Sequence, residues 1–221
     1  MGRGWISYFS GKVALSDEEA MLRVQREGDE RAFALLVRRW EDRIQRLCVR
    51  MTGDVHRGED LAQEAFTRLY ARRHSYRGDG KLSSYLWRIA LNVCYDEQRR
   101  MRNQRESSAG LYEDDLGDES RPGPLSDTPE AAAGKKEQAQ LVRKALGRLT
   151  ERHRTVVILR HYEGLKFREI AEVIGITEGT AKSRLAEALN RLGRLLQASV
   201  KENSTVQVMA DRRNKRNLVS I

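Results

Sequence analysis

Apolar residues recur three or four positions apart along most of this chain, and no stretch alternates apolar and polar residues as a half-buried strand would. That periodicity confines the chain to an all-α fold. Caps and glycines set the helix lengths. Ser16-Asp17-Glu18-Glu19 is a capping box, and the short helix it starts should stop at Gly28. Asp29 caps a second helix in which Phe33, Leu36, Val37, Trp40, Ile44, Leu47, Cys48 and Met51 share one face, and Gly53 ends it. A third helix is expected over about residues 54–73, with Leu61, Ala62, Ala65, Phe66 and Leu69 inward. Gly78, Asp79 and Gly80 make 74–81 a loop. A fourth helix, about 82–102, turns Leu86, Ile89, Ala90, Val93 and Cys94 to the core.

The pattern then breaks. Little apolar periodicity survives before residue 128, where Gly110, Gly117, Pro122, Gly123 and Pro124 discourage regular structure and Glu113, Asp114, Asp115, Asp118 and Glu119 form an acidic cluster. Helical spacing resumes after Thr128-Pro129, an N-cap followed by proline at the first helical position. Leu141, Val142, Ala145, Leu146 and Leu149 form one apolar face, Val156, Val157, Leu159 and Tyr162 the next. A short helix over about 166–174 carries Phe167, Ile170, Ala171 and Ile174; after Gly175, Thr177 caps a last helix with Ala181, Leu185, Ala188, Leu192 and Leu195 inward. The expected organisation is therefore two small helical domains, 16–105 and 129–197, joined by a flexible acidic linker at 106–128. An extension, 1–15, precedes them, and a basic tail, 198–221, expected to be disordered, follows.

Charge narrows the partners. Lys and Arg number 41 against 32 Asp and Glu, a formal net charge of +9, which favours a polyanion through Coulomb attraction and counterion release. No run approaches the roughly 20 apolar residues of a membrane span, so no membrane insertion is expected. The N-terminus lacks the form of a signal peptide. Cys48 and Cys94, the only two cysteines, suit packing in a reducing cytoplasm better than a disulfide scaffold. No glycine-rich phosphate loop follows a strand, the four histidines keep no metal-ligand spacing, and no nucleophile motif occurs, so neither catalysis nor a cofactor is expected.

Residues 166–192 read as a helix-turn-helix: a short amphipathic helix with small Ala171 at its middle, a glycine turn, and a capped helix with an apolar inner face. In such a unit the second helix enters the DNA major groove by its N-terminal turns. Packing Ala181 and Leu185 inward leaves Thr180, Lys182, Ser183, Arg184 and Glu187 for phosphates and base edges. Leu146-x-x-Leu149, then Arg154-Thr155-Val156-Val157-Ile158-Leu159-Arg160, Arg168-Glu169-Ile170-Ala171 and Glu178-Gly179-Thr180-Ala181-Lys182-Ser183-Arg184-Leu185 resemble the C-terminal module of ECF sigma factors of the sigma-70 family. The resemblance implies that this module reads the minus-thirty-five promoter element and docks on the flap of the second-largest RNA polymerase subunit. Relatives often carry Arg where this chain has Glu187, and a basic residue at Leu189, so the preferred hexamer is not transferable.

The N-terminal half resembles the same family. Asp60-Leu61-Ala62-Gln63-Glu64-Ala65-Phe66 is similar to its core-binding helix, which grips the clamp helices of the largest polymerase subunit. Asp60, Gln63, Glu64 and Thr67 lie three or four apart, on one face opposite Leu61, Ala65 and Leu69. The run from Leu82 to Asn92, with Asp96, Arg99, Arg100, Arg102 and Arg105, resembles the segment that recognises the minus-ten element and opens promoter DNA, although Leu82 stands where relatives commonly carry Phe. By that resemblance Tyr85 and Trp87 offer stacking surfaces, while Arg88, Asn92 and Arg99 reach bases or phosphates. The loop of Ser75, Tyr76, Arg77, Gly78 and Asp79 lies where relatives cradle a flipped-out base. The implied partners are polymerase core and promoter DNA, with room for an anti-sigma factor, and the acidic linker would thread the RNA channel. The competing reading is a stand-alone helix-turn-helix regulator, which has no need of the motifs at 60–66 and 85–92.

Overall fold

The computed structural model describes residues 15–78, 80–108 and 129–218, and every regular element among them is helical. The helices are α1 (Asp17–Glu27), α2 (Glu30–Thr52), α3 (Val55–Ala71), α4 (Leu82–Ser108), α5 (Pro129–Gly147), α6 (Glu151–Val157), α7 (Phe167–Ile174) and α8 (Glu178–Leu218). A single 3₁₀ turn, Arg73–Ser75, follows α3, and α6 loosens into a π-turn over Ile158–Tyr162. The acidic linker cluster, Asp79, the Thr128 cap and the extension up to residue 14 lie outside the described residues.

Local chemistry places most helix ends. Glu19 N–H donates to Ser16 Oγ at 3.2 Å while Ser16 N–H donates to Glu19 Oε2 at 2.9 Å, and Gly28 closes α1 in the left-handed region at φ 65°. Asp29 accepts from the amides of Arg31 and Ala32, and Asp54 from that of Arg57. Helix α4 draws on α1 at its start. The Leu82 amide donates to Glu18 Oε1 of α1 at 3.1 Å, so a carboxylate distant in sequence satisfies the first amide of the helix. Helices α2 and α3 cross closely at Gly58: a Cβ there would lie 2.7 Å from the Val49 amide nitrogen and 2.8 Å from its Cα.

Helix α8 departs from the sequence expectation. It continues to Leu218, where the loss of apolar pattern after Ala198 suggested a disordered tail. The physical reason is composition: no Gly or Pro follows Gly193, and Lys, Glu, Gln, Ala and Arg recur through this stretch.

The two halves are packed together. The N-terminal core of Leu36, Ile44, Leu47, Met51, Leu69, Leu86, Leu91 and Cys94 joins Ile158, Leu159, Leu165, Ile170 and Val173 of the C-terminal half in one apolar cluster. A second cluster, of Leu146, Leu149, Val156, Val157, Leu185 and Ala188, belongs to the C-terminal half alone. Polar bonds rim the junction. Arg154 Nη1 donates to Met51 O at 2.6 Å, the Tyr95 and Thr155 hydroxyls pair at 2.8 Å, and Arg88 Nη2 donates to Glu172 O at 2.9 Å. Lys81 Nζ lies 3.0 Å from Glu169 Oε1. Ile158 and Leu159 are wholly buried, and each such side chain is worth about 1.5–3 kcal/mol on leaving water, against at most about 1 kcal/mol for an exposed ion pair. The apolar centre holds the halves together and the polar rim orients them.

Candidate polymerase and promoter surfaces

On α3, burying Leu61, Ala62, Ala65, Phe66 and Leu69 turns Asp60, Gln63, Glu64 and Thr67 outward together, and all four are exposed. The face is partly ordered by its own bonds. Arg68 Nε donates to Glu64 Oε1 at 2.8 Å and its Nη1 to Asp96 Oδ2 of α4 at 2.8 Å, while Thr67 Oγ1 donates to Gln63 O at 2.9 Å. A stripe rich in acceptors, braced against α4, suits a partner helix that carries arginines.

The loop before α4 is tied to α1, because Gln25 Nε2 donates to His74 O at 3.2 Å and to Tyr76 O at 2.7 Å. Arg77 is exposed on it. Tyr76 is not a surface ring: it is 4% exposed, and its hydroxyl donates to Gly80 O at 3.0 Å. Tyr85 is half-buried, with its ring centroid 5.5 Å from that of Tyr76, and burial pushes its phenol pKa up.

Trp87 lies elsewhere than the sequence suggested. It is 2% exposed and meets Trp40 edge-on at 5.7 Å, with the Arg43 guanidinium 4.9 Å from the Trp40 ring and 5.2 Å from that of Trp87. Neither Trp87 nor Tyr76 offers an open face to a base in this arrangement. Large rings are the most effective core fillers, and a chain with 6% aromatics uses them there. Arg88, Asn92 and Arg99 are exposed along α4, as expected. Arg99 Nη2 lies 3.7 Å from Asp96 Oδ1, and Arg88 is engaged by the backbone of α7.

In the C-terminal half, Gly175 at φ 70° makes the turn from α7 to α8, and Thr177 Oγ1 caps α8 by accepting from the Thr180 amide at 3.2 Å. Ala181, Leu185 and Ala188 are buried, which leaves half-buried Thr180 and Arg184 and exposed Ser183 and Glu187 as one stripe, while Lys182, also exposed, lies on the far flank of α8 with Glu178. Ser183 Oγ donates to Thr180 O at 3.1 Å. Lys182 Nζ sits 2.8 Å from Glu178 Oε1 and 5.7 Å from the Phe167 ring centroid, and Glu187 Oε2 lies 3.3 Å from His153 Nε2. The structure thus gathers the α3 set on one surface and Thr180, Ser183, Arg184 and Glu187 of α8 on another, with Lys182 apart from them.

Sequence reasoning missed the groups at the junction. Arg154 lies within the C-terminal motif, yet only the fold reveals its guanidinium donating to Leu146 O, Gly147 O, Leu149 O and, across the junction, Met51 O. Glu163 faces Arg43 Nε at 3.7 Å and Arg50 Nη1 at 3.6 Å. Burial pushes its carboxyl above the usual carboxylate range despite those cations, and burial likewise lowers the Arg50 pKa. Desolvation outweighs attraction for both partners, since Arg50 Nη1 and Glu163 Oε1 are buried without a hydrogen bond. Lys81, immediately before α4, completes the set.

The description "Sigma-70 region 2" matches residues 36–105, and "Sigma-70, region 4" matches residues 139–192. The chain is 34% identical over 168 residues to the ECF RNA polymerase sigma factor SigW of Bacillus subtilis, covering 72% of this chain and 86% of that protein. It is 34% identical over 188 residues to the RNA polymerase sigma-H factor of Pseudomonas aeruginosa, covering 84% and 96%. Among solved structures, the fold is similar to CnrH in complex with the cytosolic domain of CnrY, with a TM-score of 0.60, 23% identity and coverage of 82% and 97%. It is also similar to the sigma factor RpoE in complex with the anti-sigma factor NepR from Bartonella quintana, with a TM-score of 0.58, 23% identity and coverage of 75% and 96%. With both sigma regions matched in chain order and relatives aligned over most of its length, the chain belongs to the ECF sigma factors of the sigma-70 family.

Proposed function

We propose that three helix faces divide the work of promoter-directed transcription initiation. The outer face of α3, with Asp60, Gln63, Glu64 and Thr67, docks on the clamp helices of the largest subunit of RNA polymerase core. Helix α4 and the loop before it, through Arg77, Tyr85, Arg88, Asn92 and Arg99, handle the minus-ten element. Helix α8, through Thr180, Lys182, Ser183, Arg184 and Glu187, reads the minus-thirty-five element in the major groove, and its half docks on the polymerase flap. The observation that carries the reading is that two family motif sets occur in one chain and in the expected order, with the α3 residues together on one exposed polar face.

The packed halves bear on how the factor works. Lys81 and Arg88, both beside the minus-ten surface, are occupied by Glu169 and by the Glu172 carbonyl of α7. Free protein in this arrangement grips promoter duplex weakly, and polymerase core supplies the surface on which the halves spread. An anti-sigma factor is the third partner of this reading, supported by the two solved structures named above, which hold an anti-sigma factor or a partner's cytosolic domain. Among the described residues no helix is long and apolar enough to cross a membrane, and we assign the protein to the cytoplasm, where its polymerase is.

Run-off transcription with purified bacterial core polymerase on a genomic fragment library tests the whole proposal. The expected result is a set of start sites sharing an upstream and a minus-ten element. Transcription no greater than core polymerase gives alone, with no association at low salt, would refute it.

A further inference from the structure

One charged group on the outer stripe of α8 is oriented by a residue outside the helix-turn-helix. His153, on α6, is buried, and its two ring nitrogens have separate partners: Nδ1 lies 2.9 Å from Thr150 Oγ1, and Nε2 lies 3.3 Å from Glu187 Oε2. Thr150 occupies the N-cap position of α6, yet its hydroxyl makes no capping bond to the helix amides. It is turned to the histidine instead. An ionised carboxylate can only accept, so Nε2 carries the hydrogen that reaches Glu187; in the neutral ring, Nδ1 then accepts from the Thr150 hydroxyl. The result is a chain of three side chains, Thr150 to His153 to Glu187, that runs from α6 to the recognition helix.

Only one carboxylate oxygen is engaged. The Glu187 side chain remains 64% exposed, and it follows Thr180, Ser183 and Arg184 at intervals that keep all four on one face. A carboxylate there repels phosphate, so a backbone contact is excluded on charge. What it can accept from in the major groove is an amine. Cytosine presents its N4 amine there, whereas adenine pairs its N6 amine with the N7 acceptor, which opposes a second carboxylate oxygen. A tether from a buried ring also reduces the rotamer freedom that an exposed glutamate would lose on meeting a base.

We infer that Glu187 is a specificity-determining residue that selects cytosine at one position of the upstream promoter element, and that His153 is its positioning residue. The inference rests on the reading that α8 enters the major groove. It concerns which base is chosen, and not whether the helix binds.

The test uses full-length protein with core polymerase on duplex templates randomised across the upstream element, with run-off products sequenced. Wild type should enrich cytosine about tenfold at one position. Glu187→Gln should shift that position to adenine, because a carboxamide can both donate to N7 and accept from N6. His153→Ala should weaken the cytosine preference at that position alone, and His153→Gln, which keeps an N–H donor, should recover part of it. Thermal melting accompanies each variant, and the exposed Glu187→Gln change is the one expected to leave it unaltered. If Arg184→Ala changes upstream preferences while both Glu187→Gln and His153→Ala leave every position as in wild type, the inference is overturned and α8 remains the reader. If wild type shows no upstream preference at all, the reading of α8 falls and the inference falls with it.

Discussion

Truncating Arg154 should weaken the C-terminal half and loosen its hold on the N-terminal half. The guanidinium donates to Leu146 O at 3.0 Å, Gly147 O at 2.7 Å and Leu149 O at 3.2 Å, which lie at the end of α5 and in the turn after it. Its Nη1 donates across the junction to Met51 O at 2.6 Å. Hydrogen bonds from a charged donor contribute about 1.5–3 kcal/mol each when removed singly, but four from one group do not add. Burial also lowers the Arg154 pKa, a sign that desolvation offsets part of the gain. We therefore take about 3 kcal/mol for Arg154→Ala, roughly half of it from the Met51 link. For a half of this size that is a fall of about 12–24 °C in Tm. All three tryptophans precede residue 88, so their fluorescence reports the N-terminal half while far-ultraviolet circular dichroism reports both. Wild type should unfold in coincident transitions by the two probes. The variant should lose helicity before fluorescence changes, and Arg154→Lys should fall between. A Tm within about 3 °C of wild type, with the probes still coincident, would refute the reasoning.

Gly58→Ala sets helix propensity against packing: propensity alone favours alanine by about 1 kcal/mol, but the added methyl meets the Val49 backbone, so a net loss of about 1–3 kcal/mol is expected in thermal melts. A rise in Tm would show that the α2–α3 crossing has slack. Glu163 has a raised pKa, so the native state holds its proton more tightly than the unfolded chain from pH 4.5 upward, and its contribution to stability falls as pH rises through that window. Glu169 is lowered by the Lys166 amide and the Lys81 ammonium, so its contribution is lost as pH falls below 4.5. The Tm difference between wild type and Glu163→Gln should therefore vary with pH only above about 4.5, and a constant difference would rule the assignment out. Asp60→Ala with Glu64→Ala should weaken binding to polymerase core about tenfold or more while Tm stays within about 2 °C, as both side chains are exposed. Unchanged affinity would remove the clamp assignment.

What could be read from the sequence was what is decided within a few residues. Ser16, Asp29 and Thr177 start their helices, and Gly28, Gly53 and Gly175 end theirs, because each acts on amides or carbonyls of its own turn. The outer faces of α3 and α8 followed from periodicity for the same reason. The start of α4 was legible only as a position, because its capping group, Glu18, is 64 residues away. The depth of Trp87 was not legible: helical spacing fits a ring on either side of a helix, and Trp40 and Arg43 from α2 decide it. Nor was the junction, whose partners Arg88 and Glu172 are 84 residues apart and Lys81 and Glu169 88 apart, with no local pattern to link them.

That junction has a polarity that bears on the proposed binding of promoter DNA. Apart from Arg154, which donates from the C-terminal half to Met51 O, the charged contacts run one way: the N-terminal half supplies Arg43, Arg50, Lys81 and Arg88, and the C-terminal half supplies the carboxylates of Glu163 and Glu169 and the Glu172 carbonyl. Cations that accept carboxylate partners accept phosphates on the same terms, so DNA can take the place of α7 at Lys81 and Arg88 with little change in electrostatic energy. The Arg50–Glu163 pair is different. It is desolvated and lacks a hydrogen bond, so separating the halves returns two poorly satisfied charges to water and offsets some of the apolar area exposed at Ile158 and Leu159. The packed arrangement is thus held by hydrophobic contact at Ile158 and Leu159, while the desolvated Arg50–Glu163 pair works against it.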